Sequence, residues 1–138
     1  MRALVDTNVL LDVLGRREPH WTQASQIWTL AETGRLEACI SAISYNNVYY
    51  IVRKWGGKER AESALRLLRD VFATVDLPQK VLLQAMDARL QNFEDATQYF
   101  SAIHAGADTI LTRNTEDFPR AGPTAMMPGE WLGSLSAQ

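Results

Sequence analysis

The sequence predicts an α/β fold built on a largely parallel sheet, and three observations predict it. Short β-prone runs alternate with longer helical patterns from end to end. Apolar residues make up 46% of the chain, with polar residues spread evenly among them. No Pro/Gly/Ser-rich linker, internal repeat or low-complexity segment divides it. At 138 residues the chain can bury one sizeable core, so a single domain over residues 1–138 is expected.

The elements follow in order. Residues 3–6 read as the first strand, and Asn8 can cap a short helix running through Leu14 to Gly15. After Pro19, Trp21, Ala24, Trp28 and Ala31 recur at helical spacing until Gly34. Residues 37–41 (EACIS) are the next strand, and residues 43–55 a helix stopped by Gly56-Gly57. A further helix carries Ala61, Ala64, Leu65, Leu68 and Phe72 on one stripe, with Arg60, Arg66 and Arg69 largely off it. Residues 73–76 form a short strand, and Pro78 suits the first turn of the helix after it. Residues 94–105 read as a helix ending at Gly106, and 109–112 (TILT) as a buried strand. Residues 124–127 can add a last short strand, and 128–135 a terminal turn or two of helix.

Composition narrows the function classes. No apolar stretch approaches the roughly 20 residues needed to cross a bilayer, and the first residues do not read as a cleavable signal, so a cytoplasmic protein with no membrane partner is expected. Cys39 is the one cysteine, which excludes an internal disulfide and a cysteine-based metal site. The net charge of −2 gives no overall pull toward nucleic acid. Its distribution is uneven: residues 1–70 hold ten Lys/Arg against eight Asp/Glu, and residues 71–138 four against eight. That asymmetry is either scatter or a basic flank beside an acidic pocket.

Three acids then stand out. RALVDTNVLLD, residues 2–12, sets Asp6 and the small polar pair Thr7 and Asn8 between two apolar runs. A buried, unpaired carboxylate is strongly disfavoured or takes up a proton, so Asp6 needs a reason. It is either a helix cap or a ligand-binding acid at the carboxyl edge of a parallel sheet. In FEDATQYFSAIHAGAD, a helical projection puts Asp95 on the side of Tyr99, Ala102 and Ile103 and turns Glu94 elsewhere. In TILTRNTEDF, Asn114, Glu116 and Asp117 follow the strand end at Thr112, so either Asn114 caps a polar turn or Asn114 or Asp117 lies beside Asp6. Acids converging this way suit a hard divalent cation such as Mg²⁺, which takes a few carboxylates and keeps several waters. His20 and His104 have no second ligand at metal spacing and read as solvated.

VDTNVLLD, EDATQYFSAIHAGAD and TRNTEDF, in that order and spacing, resemble a PIN domain, the ribonuclease fold that includes the VapC-like toxins of prokaryotic toxin–antitoxin pairs. The resemblance covers about residues 2–127, and TRNTEDF is its most specific piece. It implies a three-layer α/β/α sandwich around a short, mostly parallel central sheet, with Mg²⁺- or Mn²⁺-dependent cleavage of RNA. Asp6 corresponds to the family's first-strand acid and Asp95 to the acid opening its later helix. The last acid falls at one of two places. Asn114 fills the earlier as a supporting amide, and Asp117 fills the later. Thr7 and Thr112 join as supporting polar residues, Thr112 orienting Asp6 or a metal-bound water.

The chain departs from the pattern in SAISYNNVYYIVRK, where the usual Glu six residues after the serine is Asn47. A branch of PIN-like proteins resembles this chain in carrying Asn there, followed by tyrosines. On its helix Asn47 shares a side with Ile43, Tyr50 and Ile51, so it is expected to hydrogen-bond within the pocket.

The expectation is therefore an endoribonuclease with Asp6, Asp95 and Asp117 as catalytic metal ligands and Asn47 and Asn114 completing the site through waters. The family's products carry a 5′-phosphate and a 3′-hydroxyl. Arg53, Lys54, Lys58 and Arg60, around the Gly-Gly turn, are candidate RNA phosphate contacts, or else solvated helix ends. A cognate antitoxin and a homodimer are the partners the resemblance implies. The alternative is a catalytically weak or inactive PIN-like module that binds RNA or protein, because Asn47 brings no charge. A haloacid-dehalogenase-type phosphotransferase would need a second acid two residues after Asp6, where this chain has Asn8.

Overall fold

The structure is a computed structural model that describes residues 1–136. Residues 137 and 138, the end of the expected single-domain span, lie outside the described residues. Five strands form one sheet: β1 (Arg2–Val5), β2 (Glu37–Ser41), β3 (Ala73–Val75), β4 (Thr109–Leu111) and β5 (Thr124–Met126). Their order is β3-β2-β1-β4-β5, and every neighbouring pair is parallel. A parallel sheet is covered on both faces, which is why the central strands read as unbroken apolar runs rather than alternations.

The connections decide which face each helix covers. α1 (Thr7–Leu14) and α2 (Trp21–Glu32) lead from β1 to β2, and α3 (Ala42–Gly56) and α4 (Lys58–Val71) lead from β2 to β3. Both steps move across the sheet in one direction. α5 (Gln79–Asp87) and α6 (Phe93–His104) carry the chain back past two strands to β4, and α7 (Pro128–Ser136) follows β5. Right-handed crossovers taken in opposite directions place their helices on opposite faces. The two cores follow suit. Ala3, Val5, Ile40 and Leu111 point into one, with Val9, Leu10, Ile27, Val48, Leu68 and Trp131. Leu4, Cys39 and Ile110 point into the other, with Tyr99, Ala102 and Phe118. The result is the three-layer α/β/α sandwich expected from the sequence.

Local chemistry sets the element ends that matter. Asp6, not Asn8, caps α1: its backbone is extended and its side chain accepts the Thr7 N–H, so the helix starts ahead of Asn8. Ser41 ends β2 and caps α3 through the Ile43 N–H. Asn92 caps α6 and accepts from the amides of Glu94 and Asp95 at 2.9 and 3.1 Å. Between α3 and α4, Gly57 adopts φ 90° and ψ 177°, a conformation essentially reserved for glycine. Cys39 is buried beneath the Ala3 carbonyl. Among the described residues no helix is long and apolar enough to cross a membrane.

Candidate functional site

β1 and β4 are neighbours, but the chain leaves β1 toward β2 on one side and leaves β4 toward β5 on the other, so the connections from their carboxyl ends diverge. In open α/β sheets such a switch point leaves a crevice where ligands bind. Here it is a cleft of about 560 Å³ whose lining includes Asp6, Asn8, Asn47, Tyr50, Glu94, Asp95 and Asn114.

Asp6 follows the last residue of β1 and is 2% exposed. One carboxylate oxygen accepts the Thr7 amide at 2.7 Å. The other accepts the Thr112 hydroxyl at 2.8 Å and, more weakly, the Asn8 side-chain amide at 3.4 Å. Thr112 is itself fixed by the Asn114 amide, which donates to its oxygen at 3.0 Å. Asp6 thus caps a helix and faces the cleft at the same time.

The opposite wall is the first turn of α6. The Asn92 cap holds Glu94 and Asp95 together at the rim. Glu94 accepts from Asn47 at 3.2 Å and from Gln98 at 2.9 Å. Gln98 is fully buried, and its amide nitrogen also lies 3.1 Å from the Ser44 hydroxyl and 3.4 Å from that of Thr7. Those two hydroxyls share a hydrogen bond of 2.9 Å. A buried polar seam therefore joins α1, α3 and α6 beneath the cleft and aims Glu94 into it.

Among the described residues, three carboxylates of the cleft have no paired cation: Asp6, Glu94 and Asp95 take part in no ion pair. Burial, then the Glu94 carboxylate, pushes the Asp6 carboxyl up to about 7, against the opposing pull of the Thr112 and Thr7 donors. Burial, then Glu94 and Asp117, pushes Asp95 up to about 6. A second cleft of about 540 Å³ along β2 and β3 differs in this respect, because its acids Glu37 and Asp76 pair with Arg2 and His104.

The expected residues fall as follows. Asp6, Asp95, Thr7, Asn47 and Asn114 line the cleft, and Thr112 supports Asp6 from below. Asp117 is exposed at the end of a 3₁₀ turn (Thr115–Asp117), near enough to raise the Asp95 carboxyl but not part of the cleft lining. Arg53, Lys54, Lys58 and Arg60 are exposed and do not line it either. Arg53 bonds the Tyr49 hydroxyl, and Lys54 lies over the ring of Tyr50. Sequence reasoning missed Glu94, Gln98, Arg17 and Arg113, of which all but Gln98 line the cleft.

The donor set suits a hard cation: carboxylates, side-chain amides and hydroxyls, with negative charge lacking a partner. Among the described residues no three acidic, His or Cys side chains form a ready metal cage. Mg²⁺ does not require one, because it keeps several waters and is commonly bound through one or two carboxylates. The residues fit such an ion.

The comparisons with known proteins agree with the fold. A family model for the PIN domain matches residues 2–116. A toxin–antitoxin complex from Klebsiella pneumoniae is similar at TM-score 0.69 and 25% identity, over 91% of this chain and 97% of that one. VapBC2 from Rickettsia felis, bound to a DNA fragment from its promoter, gives TM-score 0.71 at 20% identity, over 92% and 98% of the two chains. VapC20 from Mycobacterium tuberculosis, a toxin that cleaves the sarcin–ricin loop, gives 0.68 at 17% identity, over 88% and 99%. No curated protein sequence matches the chain.

Proposed function

Because the chain belongs to the PIN domain family, we propose that it is a divalent-metal-dependent endoribonuclease and the toxin of a toxin–antitoxin pair. One observation carries the reading: three carboxylates without cationic partners, Asp6, Glu94 and Asp95, face one cleft at the switch point of the sheet. One or two of these, Asp6 and Asp95 first, would hold Mg²⁺ or Mn²⁺ directly, with the remaining acids and Asp117 at the margin acting through waters. A bound divalent ion lowers the pKa of a water to give a nucleophile and neutralises charge developing on the phosphate.

The chain's own residues supply the rest. Thr112 and the Thr7 amide fix the orientation of Asp6. Asn47 donates to Glu94 and keeps its carboxylate turned to the cleft. Glu94 then provides, from α6, the charge that Asn47 lacks on α3, which weighs against an inactive binding module. Asn114, at the rim, is placed to orient a water or a phosphate oxygen.

The test is cleavage of a structured RNA by the wild-type protein with Mg²⁺, with EDTA, and by Asp6→Asn. Cleavage that needs both Mg²⁺ and Asp6 is expected, with 5′-phosphate and 3′-hydroxyl ends. Cleavage indifferent to both would refute the mechanism. RNA binding with no cleavage under any condition would favour the binding-module reading. Partners follow from the same premise: an antitoxin and a second copy of the chain, in a cytoplasmic setting. Tyr50, Trp55 and Leu67 on α3 and α4 are exposed apolar side chains available to an antitoxin. Light scattering of the isolated protein, then of the protein co-expressed with the product of an adjacent short reading frame, tests both partners.

A further inference from the structure

Asp12 is an acid that the cleft's chemistry does not use, yet it is 1% exposed. Its two oxygens face two different arginines: Arg17 Nε at 2.9 Å and Arg113 Nε at 2.9 Å. The first is a well-aligned hydrogen bond; the second is a charge contact, poorly aligned at both atoms. Arg17 comes from the loop after α1 and Arg113 from the residues after β4. Both are tied again to Asn8, Arg17 through its side chain to the Asn8 carbonyl at 3.3 Å, Arg113 through its amide to the Asn8 side chain at 3.3 Å. The Arg17 guanidinium also lies 5.7 Å from the centre of the Trp55 ring. Both arginines line the acidic cleft and are about one-third exposed, at 36% and 28%.

We propose that Arg17 and Arg113 form a clamp for the phosphates of the RNA strand flanking the cut bond, with Asp12 as the positioning residue that holds both guanidiniums on the cleft rim. This rests on the ribonuclease reading of the cleft. Three carboxylates repel a polyanion, so a strand entering the cleft needs fixed positive charge beside them. One carboxylate against two guanidiniums leaves this cluster a net cation. Arg17 spends Nε on Asp12 and Nη2 on the Asn8 carbonyl, which leaves Nη1 for a ligand, whereas Arg113 lies against Asp12 at Nε and keeps both terminal nitrogens for the planar fork that matches a phosphate. The buried acid, with the Trp55 ring beside Arg17, removes much of the motion that a surface arginine would lose on binding.

The test is anisotropy of a fluorescein-labelled RNA hairpin titrated with full-length protein in EDTA across a series of KCl concentrations, beside single-turnover cleavage with Mg²⁺. Arg17→Gln and Arg113→Gln should each weaken binding about tenfold. Each should also lower the slope of log Kd against log salt by about 0.7, the value for one contact to a single strand. Arg69→Gln, on the far end of α4, should change neither. Arg113→Lys should keep the slope and recover part of the affinity. Asp12→Asn separates positioning from bulk charge: it removes a negative charge, which alone would tighten binding, whereas loss of the clamp weakens it. Thermal melts of each variant confirm a folded protein, and the partly exposed Gln variants keep the test valid if Asp12→Asn does not fold. Wild-type cleavage with Mg²⁺ alongside Gln variants of unchanged Kd and slope would overturn the clamp alone. Arginine-dependent binding without any cleavage would support the clamp and overturn the nuclease reading. No RNA binding by the wild type would overturn both.

Discussion

Replacing Asp6 with Asn should make the metal-free protein more stable while abolishing its metal response. Asp6 is 2% exposed and its carboxyl is pushed up from 3.8 to about 7 by burial and by Glu94. A carboxyl raised in the folded state favours folding while protonated, and that advantage disappears as pH climbs from the unfolded value through the folded one. At pH 8 without a cation, the native state must therefore keep the group ionised against the push. A shift of about three units corresponds to about 4 kcal/mol, an upper bound once relaxation and water entry are allowed. Asn keeps the shape, still accepts the Thr7 amide and can donate to the Thr112 oxygen. The charge-assisted part of those bonds is already contained in the raised value, because both donors pull against it. Relaxation and water entry reduce the gain to about 2 kcal/mol, or about 6–10 °C in Tm for a chain of this size. Calorimetry at pH 8 in EDTA reads this directly, and a second scan with Mg²⁺ should raise the wild type but not Asp6→Asn. A variant that melts below the wild type in EDTA, or that keeps the full Mg²⁺ shift, would refute the reasoning.

The same linkage predicts that the wild-type protein in EDTA is more resistant to urea at pH 5 than at pH 8, because Asp6 and Asp95, at about 7 and about 6, both lose their protons in that interval. Mg²⁺ should then stabilise more at pH 8 than at pH 5, since protons compete for the same carboxylates; equal Mg²⁺ effects at the two values would contradict it. Gln98→Leu removes the buried donor to Glu94, Ser44 and Thr7 and should destabilise by about 2 kcal/mol in urea titrations. RNA cleavage by Gln98→Leu should fall as well, because Glu94 keeps only Asn47. Gly57→Ala forces a side chain onto φ 90°, ψ 177° and should cost about 1–3 kcal/mol in the same assay.

The sheet was readable because its strands are buried on both faces. EACIS and TILT carry no alternation to misread, and the order of strand and helix patterns alone implied parallel pairing. Asp6 announced itself by breaking an apolar run. Asp95 was found through the stripe it shares with Tyr99 and Ala102, but that stripe was drawn too far round the helix. It included Ile103, which is 45% exposed, and left out Gln98, which is fully buried. Centred one residue back, the same projection brings Gln98 into the core and, one turn before it, Glu94 to the cleft edge. Arg17 and Arg113 had no such periodicity to betray them. They belong to loops, and only the fold brings Arg17 and Arg113 to the same buried acid. The basic run around Gly56-Gly57 was conspicuous because its charges are adjacent in sequence, which says nothing about which of them reach a cleft formed elsewhere.

The place of β1 at the centre of the sheet has a consequence for how the protein is made. Asp6 is synthesised well before its partners: its amide bonds the Leu111 carbonyl at 2.9 Å and its carboxylate bonds Thr112, 106 positions later. Until that distant strand is synthesised, the first acid has neither its orienting hydroxyl nor a neighbouring edge to close the pocket. A nascent chain thus carries no assembled cleft until β4 has been made. The cleft closes only when β4 and the residues after it dock against β1.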